Sequence, residues 1–129
     1  MLYRYKYHFV LRVSLFISIV SFVTIDTDFR DMHACFLDLL DIDCHGDGMI
    51  VFQSAHYGRN DSAIAKRCGT YVQHNCDIDV TLKMNRACAG KSSCQLHVNT
   101  MTFGDPCGYE EFLKIRYQCV QSKYGFCNY

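Results

Sequence analysis

The sequence has little of what marks a multidomain or membrane-spanning chain. It contains one proline and no tryptophan in 129 residues, and it has no Pro/Ser-rich linker and no internal repeat, so a single domain is predicted. Its most apolar run, residues 13–25, is shorter than the roughly 20 residues that a membrane-spanning helix needs. We expect one folded unit of about a hundred residues, preceded by a segment of a different kind.

The first 25 residues form that different segment. Three basic residues stand among aromatics in the first 12 positions, the apolar run follows, and the first acidic residue is Asp26. This order is typical of a secretory signal peptide, so we expect residues 1–25 to be removed and residues 26–34 to form a short leader. The alternative is a membrane anchor, because no clear small-x-small cleavage triplet follows the run.

An excess of positive charge is also missing. The chain has 13 basic and 13 acidic residues. Loss of residues 1–25 would remove three basic residues and no acidic ones, which leaves a mildly acidic domain. Nucleic acid is therefore not expected as a partner, because its phosphates require a basic surface.

Cysteine is what the sequence has in abundance. Nine cysteines lie between residues 35 and 127, which indicates an oxidising compartment and disulfides worth about 2–4 kcal/mol each. A zinc site of Cys35, Cys44 and His45 is the alternative, but the chain lacks the paired C-x-x-C spacing of structural zinc sites. We expect no metal and no other cofactor.

Two strands are predicted from side-chain patterns. Residues 112–119 alternate apolar and polar side chains, the period of a strand with one buried face. The turn at residues 45–48 precedes a β-branched and aromatic run at residues 49–52, which predicts a second strand that ends near residues 55–58.

One helix is predicted after the second strand. Asp79 is placed to cap it, and Gly90 is placed to end it in a left-handed conformation. Four residues share its apolar face: Val80, Met84, Ala87 and Cys88. The predicted class is a small disulfide-rich α+β domain with an antiparallel sheet core, one or two short helices and long loops.

Three stretches together resemble a known family. They are Ala55-His56-Tyr57-Gly58-Arg59, then Cys88-Ala89-Gly90-Lys91-Ser92-Ser93-Cys94, then Phe103-Gly104-Asp105-Pro106-Cys107 leading to Leu113-x-x-x-Tyr117-x-Cys119. The set is similar to the SUEL-type, or rhamnose-binding, lectin domain of egg lectins and of the ectodomain of latrophilin-like adhesion receptors. The resemblance covers residues 35–120 and leaves residues 121–129 as a C-terminal tail.

The resemblance implies a disulfide pairing that the spacing alone leaves open among 105 alternatives. The implied pairs are Cys35–Cys68, Cys44–Cys119, Cys76–Cys107 and Cys88–Cys94. Cys127 has no partner in this scheme, so we expect it to be a free thiol or to link two copies in a disulfide-linked homodimer.

The resemblance also implies a metal-free site for L-rhamnose or galactose. Tyr57, Asp105 and Gly108 match the family's sugar-binding positions. Phe36 stands where the family has an acid, and Glu111 stands where it has a lysine, in a segment that is one residue short. Both changes alter which sugar hydroxyls the site can pair.

Arg59 and Asp105 each admit a second interpretation. Arg59 either contacts the ligand or anchors a loop through backbone carbonyls or Asp61, since its guanidinium has five donors in a rigid fork. Asp105 either binds sugar or caps the Asp-Pro turn. The sequon Asn60-Asp61-Ser62 predicts an N-glycan at Asn60, at the rim of the candidate site.

The predicted function is that of a secreted, metal-independent lectin that binds cell-surface or extracellular glycans. The alternative is an extracellular protein-interaction module on the same scaffold, with Phe36 exposed beside Tyr57 as an apolar patch. An enzyme is not expected, because no Ser-His-Asp spacing, nucleophile elbow or phosphate loop is present. A carboxylate pair of Asp105 with Glu110 or Glu111 would be the hydrolase alternative.

Overall fold

Six strands and three short helices make up the part of the chain that the structure describes. The computed structural model describes residues 28–46 and 48–121. In chain order its elements are β1 (Arg30–Ala34), β2 (Leu39–Asp43), β3 (Gly48–Arg59), α1 (Ser62–Arg67), β4 (Gln73–Asp79), α2 (Thr81–Cys88), β5 (Ser93–His97), α3 (Thr100–Phe103) and β6 (Phe112–Gln121). The strands form an antiparallel sheet in the order β1-β6-β3-β4 and a two-stranded sheet of β2 and β5. The predicted α+β class is confirmed.

The predicted C-terminal strand lies inside the larger sheet as β6. Leu113, Ile115 and Tyr117 are at most 4% exposed, whereas Arg116 is exposed. This is the two-residue period of a strand with one face on the core and one in water. Strand β1 pairs with one edge of β6 and β3 pairs with the other, so β6 lies between them in the sheet.

Strand β3 ends at Arg59, one residue past the range in which its end was predicted. Ile50 and Phe52 are buried, a bulge between Phe52 and Ser54 shifts the register, and Ala55 and Tyr57 are buried after it. A bulge inserts one extra residue and moves the buried set from even to odd positions. The alternation is therefore interrupted in the sequence although the strand continues through the Tyr-Gly-Arg segment.

Gly58 is required by the close approach of β3 and β4. A Cβ at this position would lie 2.7 Å from the Cα atom of Asp77 and 2.9 Å from the carbonyl oxygen of Cys76. Both are backbone atoms and cannot move aside cheaply. The glycine therefore lets the strands meet directly beside Tyr57 and Arg59.

The residues assigned to a leader include a strand. Residues 30–34 form β1 at the edge of the larger sheet and pair with β6 from Arg30 opposite Tyr117 to Ala34 opposite Leu113. Only Ala34 is buried in this strand, so the sequence carries almost no alternation that would predict it. Residues 30–34 therefore belong to the folded domain.

Helix α2 forms where the sequence predicts a helix. The carboxylate of Asp79 accepts a hydrogen bond from the backbone N–H of Thr81 at 2.8 Å, which satisfies one free donor of the first turn. Val80, Met84 and Cys88 are buried, but Ala87 is exposed, so that member of the predicted face is wrong. The buried stripe therefore consists of residues four positions apart. Gly90, which was predicted to end the helix in a left-handed conformation, has a φ of 78°.

One apolar core lies between the larger sheet, α2 and the two-stranded sheet. Its fully buried members include Leu40, Ile42, Ile50, Met84, Leu113 and Ile115. Each such side chain contributes about 1.5–3 kcal/mol on burial. A smaller cluster joins Ile64 and Ala65 of α1 to Phe112 of β6.

Four disulfides fasten these elements. They are Cys35–Cys68, Cys44–Cys119, Cys76–Cys107 and Cys88–Cys94, the same four pairs that the family resemblance implies. Since Cys35 and Cys44 are both in disulfides, neither is available as a thiolate for the zinc alternative. The predicted signal segment, Cys127 and residues 122–129 lie outside the described residues.

Candidate functional site

The candidate site is built on the loop between α3 and β6, residues 104–111, which we call the site loop. The Cys76–Cys107 disulfide ties this loop to β4. Gly104, Gly108 and Glu110 have φ angles of 89°, 76° and 40°, and left-handed backbone in a non-glycine residue such as Glu110 is uncommon. The two glycines adopt this backbone conformation easily, whereas Glu110 adopts it only at a cost in backbone strain.

Tyr57 lies beneath the site loop and is fully buried. Its ring packs 5.0 Å from the ring of Phe103, centroid to centroid, and its hydroxyl donates to Oε2 of Glu111 at 3.3 Å. Burial, together with the negative charge of Glu111, raises the pKa of Tyr57 well above its ordinary value of 10.0. In this arrangement the hydroxyl is already paired within the protein.

Glu111 is also fully buried. Its Oε1 accepts a hydrogen bond from the backbone N–H of Cys107 at 3.0 Å, and its Oε2 accepts the one from Tyr57. No ion pair among residues 28–46 and 48–121 includes Glu111. The carboxylate therefore depends on these hydrogen bonds to offset the cost of its burial.

Arg59 joins the start of β4 to the site loop. One terminal nitrogen, Nη2, donates to Oε1 of Gln73 and, at 3.2 Å, to the carbonyl oxygen of Cys107. The guanidinium carbon lies 4.3 Å from the ring centroid of Tyr71, in a cation–π contact. Arg59 is only 1% exposed. This geometry matches the loop-anchor interpretation through a backbone carbonyl.

Asp61, the other anchor considered for Arg59, is engaged elsewhere. Its carboxylate caps α1 by accepting from the N–H groups of Ala63 and Ile64, each at 3.1 Å, and it pairs with Lys114 at 3.6 Å. These hydrogen bonds, that from Ile64 above all, lower the pKa of Asp61. Helix α1 was not predicted from the sequence, although Asp61 before Ser62 is a recognisable capping signal.

Asp105 and Gly108 are the exposed members of the predicted set. Within the described part of the chain the carboxylate of Asp105 accepts no hydrogen bond, so the turn-capping interpretation has no support. A Cβ at Gly108 would meet nothing within 4 Å, so this backbone is open to a ligand. Of the five predicted binding residues, Tyr57, Arg59 and Glu111 are buried and these two face solvent.

Phe36 does not form the expected surface with Tyr57. Phe36 is half-buried, and Tyr57 is not exposed at all, so the predicted apolar patch of these two side chains is wrong. The exposed apolar residue of this turn is Leu37, whose backbone N–H donates to the carbonyl of Val98 at 2.7 Å.

Two exposed tyrosines near Arg59 were not predicted as site residues. Tyr71 is 62% exposed and Tyr109 is 58% exposed. A hydrogen bond to Glu110 and the charge of that residue raise the pKa of Tyr109. Tyr109 directly follows Gly108, a predicted binding residue, and could have been added to the site from the sequence. Tyr71 comes close to Arg59 only in the folded chain.

Other candidate features lie apart from these residues. Asn60 is exposed, and its side-chain oxygen pairs with Nδ1 of His74 at 2.8 Å. An open groove of about 350 Å³ runs between β1 and β2 and is lined by Met32, His33, Ala34, Asp38, Leu39, Leu40 and Asp41. Across the described ranges, no group of three or more His, Cys, Asp or Glu side chains is arranged to hold a metal ion.

The family model for the D-galactoside/L-rhamnose binding SUEL lectin domain matches residues 42–119, more than half of the chain. The chain belongs to the SUEL lectin domain family. The SUEL lectin domain suggests carbohydrate binding, and SUEL lectin domains are extracellular. The match contains β3, α2, the site loop and most of β6.

Curated relatives carry the same domain within much longer chains. The protein is 34% identical over 97 residues to Latrophilin Cirl of Drosophila persimilis and of Drosophila pseudoobscura pseudoobscura, and 33% identical over 97 residues to that of Drosophila ananassae. Each alignment covers 73% of this chain and 6% of the relative. No helix in the described residues has the length and apolar character needed to cross a membrane.

Proposed function

We propose that the protein is a secreted, metal-independent lectin that recognises rhamnose- or galactose-type glycans through the site loop. The observation that carries the proposal is the exposed carboxylate of Asp105, which no described residue pairs with, in a loop fixed by Arg59 and a disulfide. A carboxylate held in this way accepts strong hydrogen bonds from sugar hydroxyls. Because the loop is anchored before binding, little conformational entropy is lost on complex formation.

Glu111 reduces the number of hydrogen-bonding groups that the site has free for a sugar. It pairs with the hydroxyl of Tyr57 inside the protein, so a ligand gains that hydrogen bond only by displacing Glu111. Recognition therefore depends more on Asp105 and on the open backbone at Gly108. Weak, millimolar-range affinity for a single sugar is expected when so few polar contacts are available.

A glycan array with the oxidised chain tests this proposal. Binding that free rhamnose or galactose competes away, and that EDTA leaves unchanged, is the expected result. Asp105→Asn should weaken it, whereas Asp31→Asn, an exposed acid on β1, is the matched control. A blank array from protein with all four disulfides formed would overturn the sugar proposal.

The second candidate is a protein-interaction module. It is favoured by the internal pairing of Tyr57 with Glu111 and by the exposed aromatic side chains of Tyr71 and Tyr109, since aromatic residues are enriched at protein interfaces. Binding to cells that persists after enzymatic removal of their glycans would support this candidate. Loss of binding on that treatment supports the lectin.

Export, covalent dimerisation and glycosylation belong to the same proposal. N-terminal sequencing of exported protein should show that residues 1–25 are absent. A non-reducing gel should show a dimer that Cys127→Ser abolishes, and a gel with monomer alone contradicts the dimer. A mass loss on treatment with an N-glycosidase, absent in Asn60→Gln, is expected for the glycan at Asn60.

A further inference from the structure

Two exposed tyrosines stand on the two loops that the buried guanidinium of Arg59 contacts. Tyr71 stacks over it at 4.3 Å, and Tyr109 lies two residues after Cys107, whose carbonyl oxygen accepts from Arg59 at 3.2 Å. Tyr71 and Tyr109 are 62% and 58% exposed. Arg59 therefore fastens both tyrosine-bearing loops to one another while the rings remain accessible to a ligand.

Two donor atoms of Arg59 are not paired by any described residue. Its Nε and Nη1 atoms are buried, and no described residue accepts a hydrogen bond from either. Buried donors without an acceptor are uncommon in folded proteins and call for an explanation at the place where they occur. They lie in the guanidinium group that contacts Tyr71.

The polar groups around the two rings favour a neutral ligand. Asp105 is exposed in the site loop, and Glu110 is close enough to Tyr109 to raise the pKa of its hydroxyl. Arg59 is 1% exposed, so its charge is withdrawn from the surface. The two carboxylates accept hydrogen bonds from sugar hydroxyls and repel sulfate or carboxylate groups, and a phenol hydroxyl can both donate to and accept from a sugar hydroxyl.

Tyr57 cannot supply an aromatic face to a sugar, because it is 0% exposed and packed against Phe103. We propose that Tyr71 and Tyr109 form an aromatic platform on which the ring of a neutral pyranose stacks, while Asp105 and Glu110 accept its hydroxyl hydrogens. This inference rests on the proposed lectin function and names the surface that determines its specificity. Anchored tyrosines provide large contact area with little loss of side-chain entropy.

Titration of the oxidised full chain with methyl α-L-rhamnopyranoside and methyl β-D-galactopyranoside tests the platform. Tyr71→Ala and Tyr109→Ala should each raise Kd about tenfold, whereas Tyr71→Phe and Tyr109→Phe keep the ring and should stay within about threefold. Leu82→Ala, which removes a 63% exposed side chain from α2, is the control and should bind like the unmodified chain.

A fluorescent variant gives a second readout. The chain contains no tryptophan, so Tyr71→Trp places a single indole in the platform. Its emission should change saturably with either glycoside, with the same Kd that titration gives. An emission that stays constant while the glycoside binds would overturn the stacking at this position. If Tyr71→Ala unfolds because Arg59 loses its stacking partner, the Kd of Tyr109→Ala tests the platform, and a Kd equal to that of the unmodified chain would overturn it.

The outcomes separate this inference from the proposed function. Sugar binding that Asp105→Asn weakens but that both alanine variants retain overturns the platform alone. Binding restricted to sulfated or sialylated glycans also overturns it, because the platform predicts a neutral ligand. A chain that binds no glycan on an array overturns both the platform and the lectin proposal.

Discussion

The strand pair β3–β6 and the neighbouring site loop hold their buried groups in different ways. In the strand pair, register is continuous from Gly48 opposite Gln121 to Gly58 opposite Phe112 apart from one bulge, and most buried side chains are apolar. In the site loop the buried carboxylate of Glu111 is held by two hydrogen bonds, and the preceding residue, Glu110, has left-handed backbone. We call the strand pair β3–β6 and its disulfide the framework. It is stabilised by repeated backbone pairing and apolar burial, whereas the site loop depends on a few individual hydrogen bonds.

The largest expected effect comes from cutting the framework's longest cross-link. Cys44→Ala/Cys119→Ala removes a disulfide that spans 75 residues and should lower the free energy of unfolding by about 4 kcal/mol. Cys88→Ala/Cys94→Ala removes one that spans 6 residues and should cost about 2 kcal/mol. Urea denaturation followed by circular dichroism measures both. A larger loss in the second variant would contradict the chain-entropy explanation.

The close approach of β3 and β4 gives the next effect. Gly58→Ala places a Cβ against backbone atoms of Asp77 and Cys76 and should cost about 3 kcal/mol. Gly69→Ala is the matched control, because its φ of 69° is left-handed but its surroundings are open, so only backbone strain of about 1 kcal/mol remains. Equal losses in the two variants would show that the close approach is unimportant.

The hydroxyl of Tyr57 tests the site's internal pairing. Tyr57→Phe leaves Glu111 with one hydrogen bond fewer and should cost about 1–2 kcal/mol. The raised pKa of Tyr57 also predicts a pH dependence. Below about pH 10 the hydroxyl is protonated in folded and unfolded chains. As the pH rises above that value only the unfolded chain ionises, so stability falls.

Thermal melts between pH 8 and pH 11 measure this dependence. Tyr57→Phe should lose part of the alkaline decline in Tm, whereas Tyr71→Phe, at a largely exposed position, should keep the decline of the unmodified chain. Parallel declines in all three proteins would argue against a buried, protonated Tyr57.

The smallest effect on stability is expected at the exposed member of the site. Asp105→Asn should change the free energy of unfolding by less than about 0.5 kcal/mol, because the carboxylate contacts no described partner. The same change should weaken sugar binding about tenfold, since a charge-assisted hydrogen bond is lost. A strong loss of stability would place Asp105 in the framework and not in the site.

The two regions also differ in what the sequence could predict. Periodicity predicts β6, and it indicates the start of β3, because regular pairing repeats every two residues. The bulge near Ser54 interrupts that repeat within β3, and the edge position of β1 removes it there, so the whole of β1 was missed. Family motifs locate Tyr57 and Asp105 in the chain, but not their burial.

Burial in the site depends on contacts between residues far apart in the sequence. Glu111 is where the family places a lysine, and only the fold shows that its carboxylate points to Tyr57. Tyr71 comes within 4.3 Å of Arg59 across a loop that has no motif of its own. Such pairs are set by packing, which local sequence patterns do not encode.

The central claim, that a sugar binds at the site loop, is tested most directly by titrating the isotope-labelled oxidised chain with methyl α-L-rhamnopyranoside or methyl β-D-galactopyranoside and following backbone amide resonances. Saturable shifts confined to residues 104–111 and to the segment around Tyr71, unchanged by EDTA, are the expected result. Shifts centred on the groove between β1 and β2, or no shift with either glycoside, would contradict it.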